Sequence, residues 1–226
     1  MGPQTAKNGY AMNPRALRLL HEALSRIGLN PSLDAADVPD TWLVQYVEGP
    51  DRLEPGRVLD LGCGAGRNTR YFASHGWDAI GIDMLGRAID KARSQAVGAA
   101  AKARFLQGDV TRLGDLDIGD GFGLIVDSGC YYGLSGDQRD GYAAGVTRVV
   151  APGALLVMAG FTRVRGIIAG ISGDDLRNRF GGWEVRTSAP VPIDDLMRHT
   201  RIPFPLKAAL QTGRLGIQRF ELTKRA

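Results

Sequence analysis

Apolar positions keep a helical rhythm early in the chain and then break into short runs. Leu17, Leu20, Leu24 and Ile27 recur at the spacing of one helix face. Asn13-Pro14 opens that segment with a capping residue and a proline tolerated in the first turn, and Gly28 closes it. Residues 1–12 read as disordered. Asp40 is placed to cap a second, shorter helix, in which Trp42 and Tyr46 lie four apart and share a face with Leu43 and Val47 beside them. Two roles are open for this helix: packing on the edge of a sheet, or forming a lid over a ligand. Residues 48–57, with two prolines and two glycines, read as a linker.

From Arg57 onward, short apolar runs alternate with helical stretches, the pattern of a parallel α/β sheet. Strands are predicted at 57–61, 79–82, 104–107, 122–126 and 154–161. Phe122–Val126 is continuously apolar, as expected of a strand buried on both faces. The first intervening helix runs to Gly76, and the second covers 85–97 with Leu85, Ala88, Ile89 and Ala92 on one face. Ser135 and Gln138 have capping-box spacing, and Pro152-Gly153 turns the chain into the fifth strand. After Phe161 the pattern weakens to an irregular helix within 162–178 and strands at 182–188 and 217–223. About 28 residues separate those strands, including Pro190, Pro192, Pro203 and Pro205. Asp194–Leu215, with Met197, Ile202, Phe204 and Leu206, is expected to form a lid or acceptor wall.

The 226 residues, 44% hydrophobic and 23% charged, suit one globular domain with an appended cap. No long uncharged apolar run suggests a membrane span, and residues 1–13 lack the layout of a signal peptide, so a cytoplasmic location is the default. Two cysteines, Cys63 and Cys130, exclude a disulfide framework and a zinc site. Both fall at C-terminal strand ends and are expected to be buried thiols near each other. The net charge of +4 is uneven, with roughly 12 Lys and Arg against about 6 Asp and Glu in residues 161–226. That excess suits either a solvated surface or attraction of an anionic substrate. The arginines are scattered without interleaved aromatics, which does not favour nucleic acid.

The candidate chemistry centres on Asp60-Leu61-Gly62-Cys63-Gly64-Ala65-Gly66-Arg67-Asn68, where a strand runs through three alternating glycines into a helix. Glycine permits close backbone approach and dihedrals barred to other residues. Such a turn belongs at the C-terminal edge of a parallel sheet, where open α/β sheets bind ligands. A dinucleotide turn would read G-x-G-x-x-G, but Arg67 stands where its third glycine belongs. Asp60 would repel a pyrophosphate and suit a cation. Asp83, Asp109 and Asp127 end three further strands, so a carboxylate-lined groove is expected.

The D-x-G-x-G-x-G pattern resembles motif I of class I S-adenosylmethionine-dependent methyltransferases. With Asp83, Gly108-Asp109 and Asp127-Ser128-Gly129, it matches their ordered motif set over about residues 40–161. The resemblance implies a Rossmann-like, seven-stranded, mostly parallel sheet with the last strand antiparallel and helices on both faces. It implies an N-terminal helical extension or lid (1–50), a methyltransferase domain (51–226), and a cap insertion at 189–216. Gly66-Arg67-Asn68 and Asp127–Leu134 resemble the branch of thiopurine, thiol and tellurite-resistance methyltransferases, with Tyr132 where that branch usually has histidine.

S-adenosylmethionine is the implied cofactor and S-adenosylhomocysteine the product. Asp83 is expected on the ribose hydroxyls with Met84 beside it, and Asp109 on the adenine amino group with the Val110 backbone. Asp60, Gly62, Cys63, Gly64, Asp127 and Ser128 would face the amino-acid end, with Arg67, Asn68 and Trp42 completing the site. Tyr131 and Tyr132 are the candidates to touch the acceptor. No histidine falls in their loop, since His21, His75 and His199 lie elsewhere, which favours an easily ionised thiol or acidic hydroxyl. The expected partner is a small-molecule acceptor rather than nucleic acid, and the protein is expected to be a monomer or homodimer. A S-adenosylmethionine-binding sensor or scaffold without turnover is the alternative.

Overall fold

The computed structural model describes residues 37–162, 170–192, 194, 208, 210–213 and 215–225. The expected helix at 13–27 with His21, His199, and most of the expected Asp194–Leu215 lid lie outside these residues. Among the described residues, no helix is long and apolar enough to cross a membrane.

The described chain runs α1 (Thr41–Glu48), β1 (Arg57–Leu61), α2 (Arg67–Ser74), β2 (Asp78–Asp83), α3 (Gly86–Gln95), β3 (Arg104–Gln107), β4 (Phe122–Ser128), α4 (Gly136–Val149), β5 (Val150–Phe161), α5 (Gly173–Arg179), β6 (Trp183–Pro190) and β7 (Ile217–Lys224). One seven-stranded sheet has the order β3-β2-β1-β4-β5-β7-β6. β1 to β5 are mutually parallel, while β7 is antiparallel to both its neighbours, β5 and β6. Strand order reverses between β1 and β4, and a crevice opens beyond the C-terminal ends of strands at such a switch point.

The sheet is buried on both faces. One face holds Leu59, Leu61, Ile80, Ile82, Ile125, Leu156 and Met158, packed with Tyr142, Val146 and Phe180. The other holds Val58, Leu124, Val126 and Val157 beneath Leu43, Tyr46 and Val47 of α1 and Phe72 of α2. α1 therefore packs on the face of the sheet, over the middle strands, rather than on its edge. Leu43 is completely buried there, and each such aliphatic side chain contributes roughly 1.5–3 kcal/mol.

Three local expectations change. β5 begins at Val150, and Pro152-Gly153 sits within it where the register shifts between Phe122 and Leu124. Gly153 has φ +75°, so it supplies the irregularity as a bulge rather than as a turn. The irregular helix expected within 162–178 is seen as α5, Gly173–Arg179, capped by the Ser172 side chain accepting from Asp175 N. Asp40 does not cap α1, because its carboxylate is engaged elsewhere. The capping box of Ser135 and Gln138 on α4 is present.

Candidate active site

The glycine turn is tied to the end of β2. The N–H groups of Gly62 and Cys63 both donate to the Ile82 carbonyl, at 2.8 and 3.0 Å. Gly64 N donates to Asp83 Oδ2 at 2.9 Å, and Leu85 N donates to Asp83 Oδ1 at 2.8 Å. Gly62, Gly64 and Gly66 all have positive φ. At Gly62 a Cβ would stand 2.7 Å from Cys130 Cβ, and at Gly66 it would stand 2.5 Å from the Phe105 ring. Close approach of protein to protein, in addition to backbone angle, thus demands glycine at these two positions.

The four strand-end acids divide into two kinds. Asp83 lies beside the turn, and Asp109 is partly exposed. One oxygen of Asp109 accepts from Thr111 N and Oγ1, at 2.8 and 2.7 Å, and the other takes no hydrogen bond from a described residue. Asp60 and Asp127 turn inward. Asp60 accepts from Thr69 Oγ1 at 2.6 Å, and burial pushes its pKa up to about 7. Asp127 is fully buried. It accepts from Cys130 N at 2.8 Å, Tyr131 N at 3.0 Å and Tyr142 Oη at 2.8 Å, and burial raises its pKa to about 6. The expected direct ligand contact by Asp127 is therefore corrected: both its oxygens fold the 129–131 loop. The four acids are nevertheless gathered, since after burial itself Asp127, Asp83, Asp109 and Asp60 all push the Cys130 thiol pKa upward.

A second network was not foreseen. Asp40, 6% exposed, binds Arg67 through both oxygens at 2.7 and 2.8 Å. It also accepts from Asn68 Nδ2 at 2.9 Å and from Ser128 Oγ at 2.7 Å. Arg67, Asn68 and Ser128 are thus held by Asp40, which ties the N-terminus of α1 to α2 and to the end of β4. An acid immediately before a helix reads first as a cap, so the sequence hid this role. The Cys63 thiol is buried below the turn, as expected, where a Cβ on Gly81 would meet its sulfur at 2.8 Å. Both cysteines are free. Met84 is partly buried and packs with Leu85 and Ala88, while Val110 is in the core.

The two tyrosines separate. Tyr131 is 1% exposed, packs on Tyr142 and Phe180, and donates to Asp175 Oδ2 at 2.7 Å. It is a core residue, and the expectation that it touches an acceptor is corrected. Arg139 stacks over its ring at 4.7 Å and pairs with the same Asp175 at 2.9 Å. Tyr132 is partly exposed, meets Phe161 edge-on at 5.1 Å, and its hydroxyl makes no hydrogen bond to a described residue. Burial raises its pKa to about 12. Trp42 lines a groove with Pro190, Val191, Pro192 and Arg219, on the α1 side of the crevice.

Asp60 gives a pH-dependent stability prediction. Its pKa rises from 3.8 to about 7 on folding, so between these values the folded state holds a proton that the unfolded state has lost. Its contribution is present at low pH and is lost as pH rises through about 7. Asp60→Asn keeps an oxygen for Thr69 and removes the buried charge. Thermal melts should show the variant gaining on the wild type from pH 5 to pH 8, by about 2–4 °C for each kcal/mol recovered. An unchanged difference across that range would contradict the assignment.

Residues 58–153 match the family described as "Methyltransferase domain". Over 92 residues the chain is 34% identical to an uncharacterized methyltransferase of Schizosaccharomyces pombe, covering 41% of this chain and 62% of that protein. Over 109 residues it is 33% identical to the 2-heptyl-1-hydroxyquinolin-4(1H)-one methyltransferase of Mycobacteroides abscessus, covering 48% and 47%. The chain thus spans about half to three-fifths of the curated relatives it matches. Its fold is similar to Burkholderia thailandensis 1,6-didemethyltoxoflavin-N1-methyltransferase, solved with 1,6-didemethyltoxoflavin and S-adenosylhomocysteine bound. That likeness has TM-score 0.69 and 17% identity, over 97% of this chain and 93% of that one. Residues 58–153 thus match a methyltransferase domain model, and the seven-stranded sheet has the same fold as the similar solved structures.

Proposed function

We propose that this protein transfers a methyl group from S-adenosylmethionine to a thiol or an acidic hydroxyl of a small molecule. One observation carries the reading: Gly62, Cys63 and Gly64 spend their N–H groups inside the protein, beside strand ends that carry Asp83 and Asp109. The N–H groups of Gly62, Cys63 and Gly64 are all taken by the end of β2, so a pyrophosphate finds no cradle there. Asp83 and Asp109, at the ends of β2 and β3, suit a ligand that carries positive charge.

These residues fit such a cofactor. Asp83 and the free oxygen of Asp109 would accept from ribose and adenine donors, with Met84 and the Val110 backbone beside them. The Gly62–Gly64 turn would lie under the amino-acid end. Asp60 would support the turn from beneath through Thr69, and Arg67, Asn68 and Ser128 would act through their hold on Asp40. Bound there, the cofactor would supply a methyl group on a positively charged sulfur, already a good leaving centre. The chain's own task is then to position the acceptor in line and exclude water. The methyl group would pass to the acceptor's lone pair, and the sulfur would keep the electron pair of the bond that breaks.

The acceptor class follows from the proton balance. Among the described residues, the histidine is His75, at the far end of α2 against Tyr71 and Glu48. Tyr132, its pKa raised by burial to about 12, is no base at neutral pH and packs against Phe161. An acceptor that ionises readily by itself therefore suits the site. The Mycobacteroides abscessus relative named for a hydroxyquinolinone supports an N-heteroaromatic hydroxyl, and the likeness of Asp127–Leu134 to the thiopurine and thiol branch supports a thiol. The absence of proline from Asp127–Cys130 argues against base amino groups of nucleic acid.

Calorimetry with S-adenosylmethionine, S-adenosylhomocysteine and NAD tests the cofactor, and binding of NAD alone would end the proposal. Release of S-adenosylhomocysteine with a panel of thiols, phenols and N-heteroaromatic hydroxyls tests the reaction. A sensor without turnover is the second reading, favoured by the lack of a base among the described crevice residues; it predicts cofactor binding with no burst of product. Asp83→Ala should weaken cofactor binding by about 1–3 kcal/mol. Unchanged binding would take Asp83 out of the site.

A further inference from the structure

Beside the crevice, on the α1 face of the sheet, lies a groove that the cofactor contacts do not use. Ser128, Ala159, Arg219 and Ala189 stand in one row across β4, β5, β7 and β6. Two strand spacings put Arg219 about 10 Å from Ser128 along that row. The groove, about 250 Å³, is lined by Thr41, Trp42, Pro190, Val191, Pro192 and Arg219. That volume suits one small planar molecule, just under the usual range for ligand pockets.

Two of its buried polar atoms lack a hydrogen-bond partner. The Arg219 side chain is 18% exposed and stands 3.3 Å from Glu221, a loose ion pair. Glu221 already accepts from Tyr46 Oη at 2.5 Å. The Arg219 guanidinium makes no hydrogen bond to a described residue, and its Nε is buried with no partner. Thr41 Oγ1, on the same lining, is buried and unpartnered as well. Buried groups of this kind are nearly always hydrogen-bonded, and a guanidinium prefers planar oxyanions. Trp42 adds a flat aromatic wall.

We infer that this groove seats the methyl acceptor as a planar anion, its charged oxygen held by Arg219 and Thr41 and its ring against Trp42. The inference rests on the methyltransferase reading for the ligand's fate alone, since anion binding needs no cofactor. It also accounts for an acceptor site without a base. A cation at the oxygen favours the ionised acceptor, so the proton leaves to solvent before transfer. Glu221 on β7 and Tyr46 on α1 are the titratable groups facing Arg219. The negative charge of Glu221 opposes the anion, which gives the test a sign.

The probe is 4-nitrophenol, whose ionised form is coloured, titrated against protein at one pH unit below the free phenol's pKa. Wild-type protein should raise the coloured fraction. Arg219→Gln should abolish that rise and weaken binding on the order of 10-fold, while Arg219→Lys should retain part of it. Glu221→Gln should instead tighten binding by about 3-fold, a gain that misfolding cannot mimic. S-adenosylhomocysteine affinity should stay within about 2-fold in every variant. No colour change with wild type, or equal change with wild type and Arg219→Gln, overturns the proposal. If nitrophenolate binds through Arg219 but S-adenosylhomocysteine does not bind, the groove stands and the methyltransferase reading falls.

Discussion

Asp127→Ala is expected to cost about 3–5 kcal/mol of stability and to abolish methyl transfer. The carboxylate is fully buried and accepts from the Gly129, Cys130 and Tyr131 N–H groups and from the Tyr142 hydroxyl. Alanine would leave these donors buried without partners, each at about 1–3 kcal/mol unless the loop moves to reach water. Movement is the more damaging outcome for function, because the loop carries Cys130 against Gly62 and Tyr132 against Phe161. Asp127→Asn should fall between: one oxygen still accepts, but its NH2 faces a donor. Denaturant melts with a transfer assay check both, and a stable, active Asp127→Ala protein would refute the loop-holding role.

Gly66→Ala is expected to cost about 2–4 kcal/mol and to weaken cofactor binding at least 10-fold. Two costs add. Gly66 has φ +77°, where a Cβ costs about 1–2 kcal/mol. The added carbon would also stand 2.5 Å from the Phe105 ring and 2.9 Å from Ala92 Cβ. Both neighbours sit in a small cluster between β3 and α3, with Phe105 5% exposed, so neither can retreat cheaply. The start of α2 would shift and carry Arg67 and Asn68 off Asp40. Phe105→Leu in the Gly66→Ala background should recover part of the loss by making room. If it recovers none, the backbone angle alone is the cause.

Alternating apolar runs located all seven strands within a few residues, because a strand buried on both faces needs continuous apolar sequence and a helix needs its own period. The D-x-G-x-G-x-G turn and the strand-end acids were legible for a similar reason: positive φ and close packing admit only glycine, and a strand's C-terminal residue lies at the ligand edge by topology. The direction of each acid was not legible. Asp60 and Asp127 end strands as Asp83 does, yet they point at Thr69 and at the 129–131 loop. Arg219 did leave a signal. β7 alternates Phe220 and Leu222 with Arg219, Glu221 and Thr223, and charges on one face of an interior strand need a reason.

The amino-acid sequence by itself determined the sheet, the turn and the acidic character of its edge, all set by local periodicity, backbone angle and charge. Tertiary structure alone decided which groups face a ligand. It placed Tyr131 in the core against Asp175, drew Arg67, Asn68 and Ser128 onto Asp40, and left Arg219 Nε and Thr41 Oγ1 without hydrogen-bond partners in the groove that Trp42 lines. Those outcomes depend on residues 27 to 178 positions apart, which no local pattern encodes.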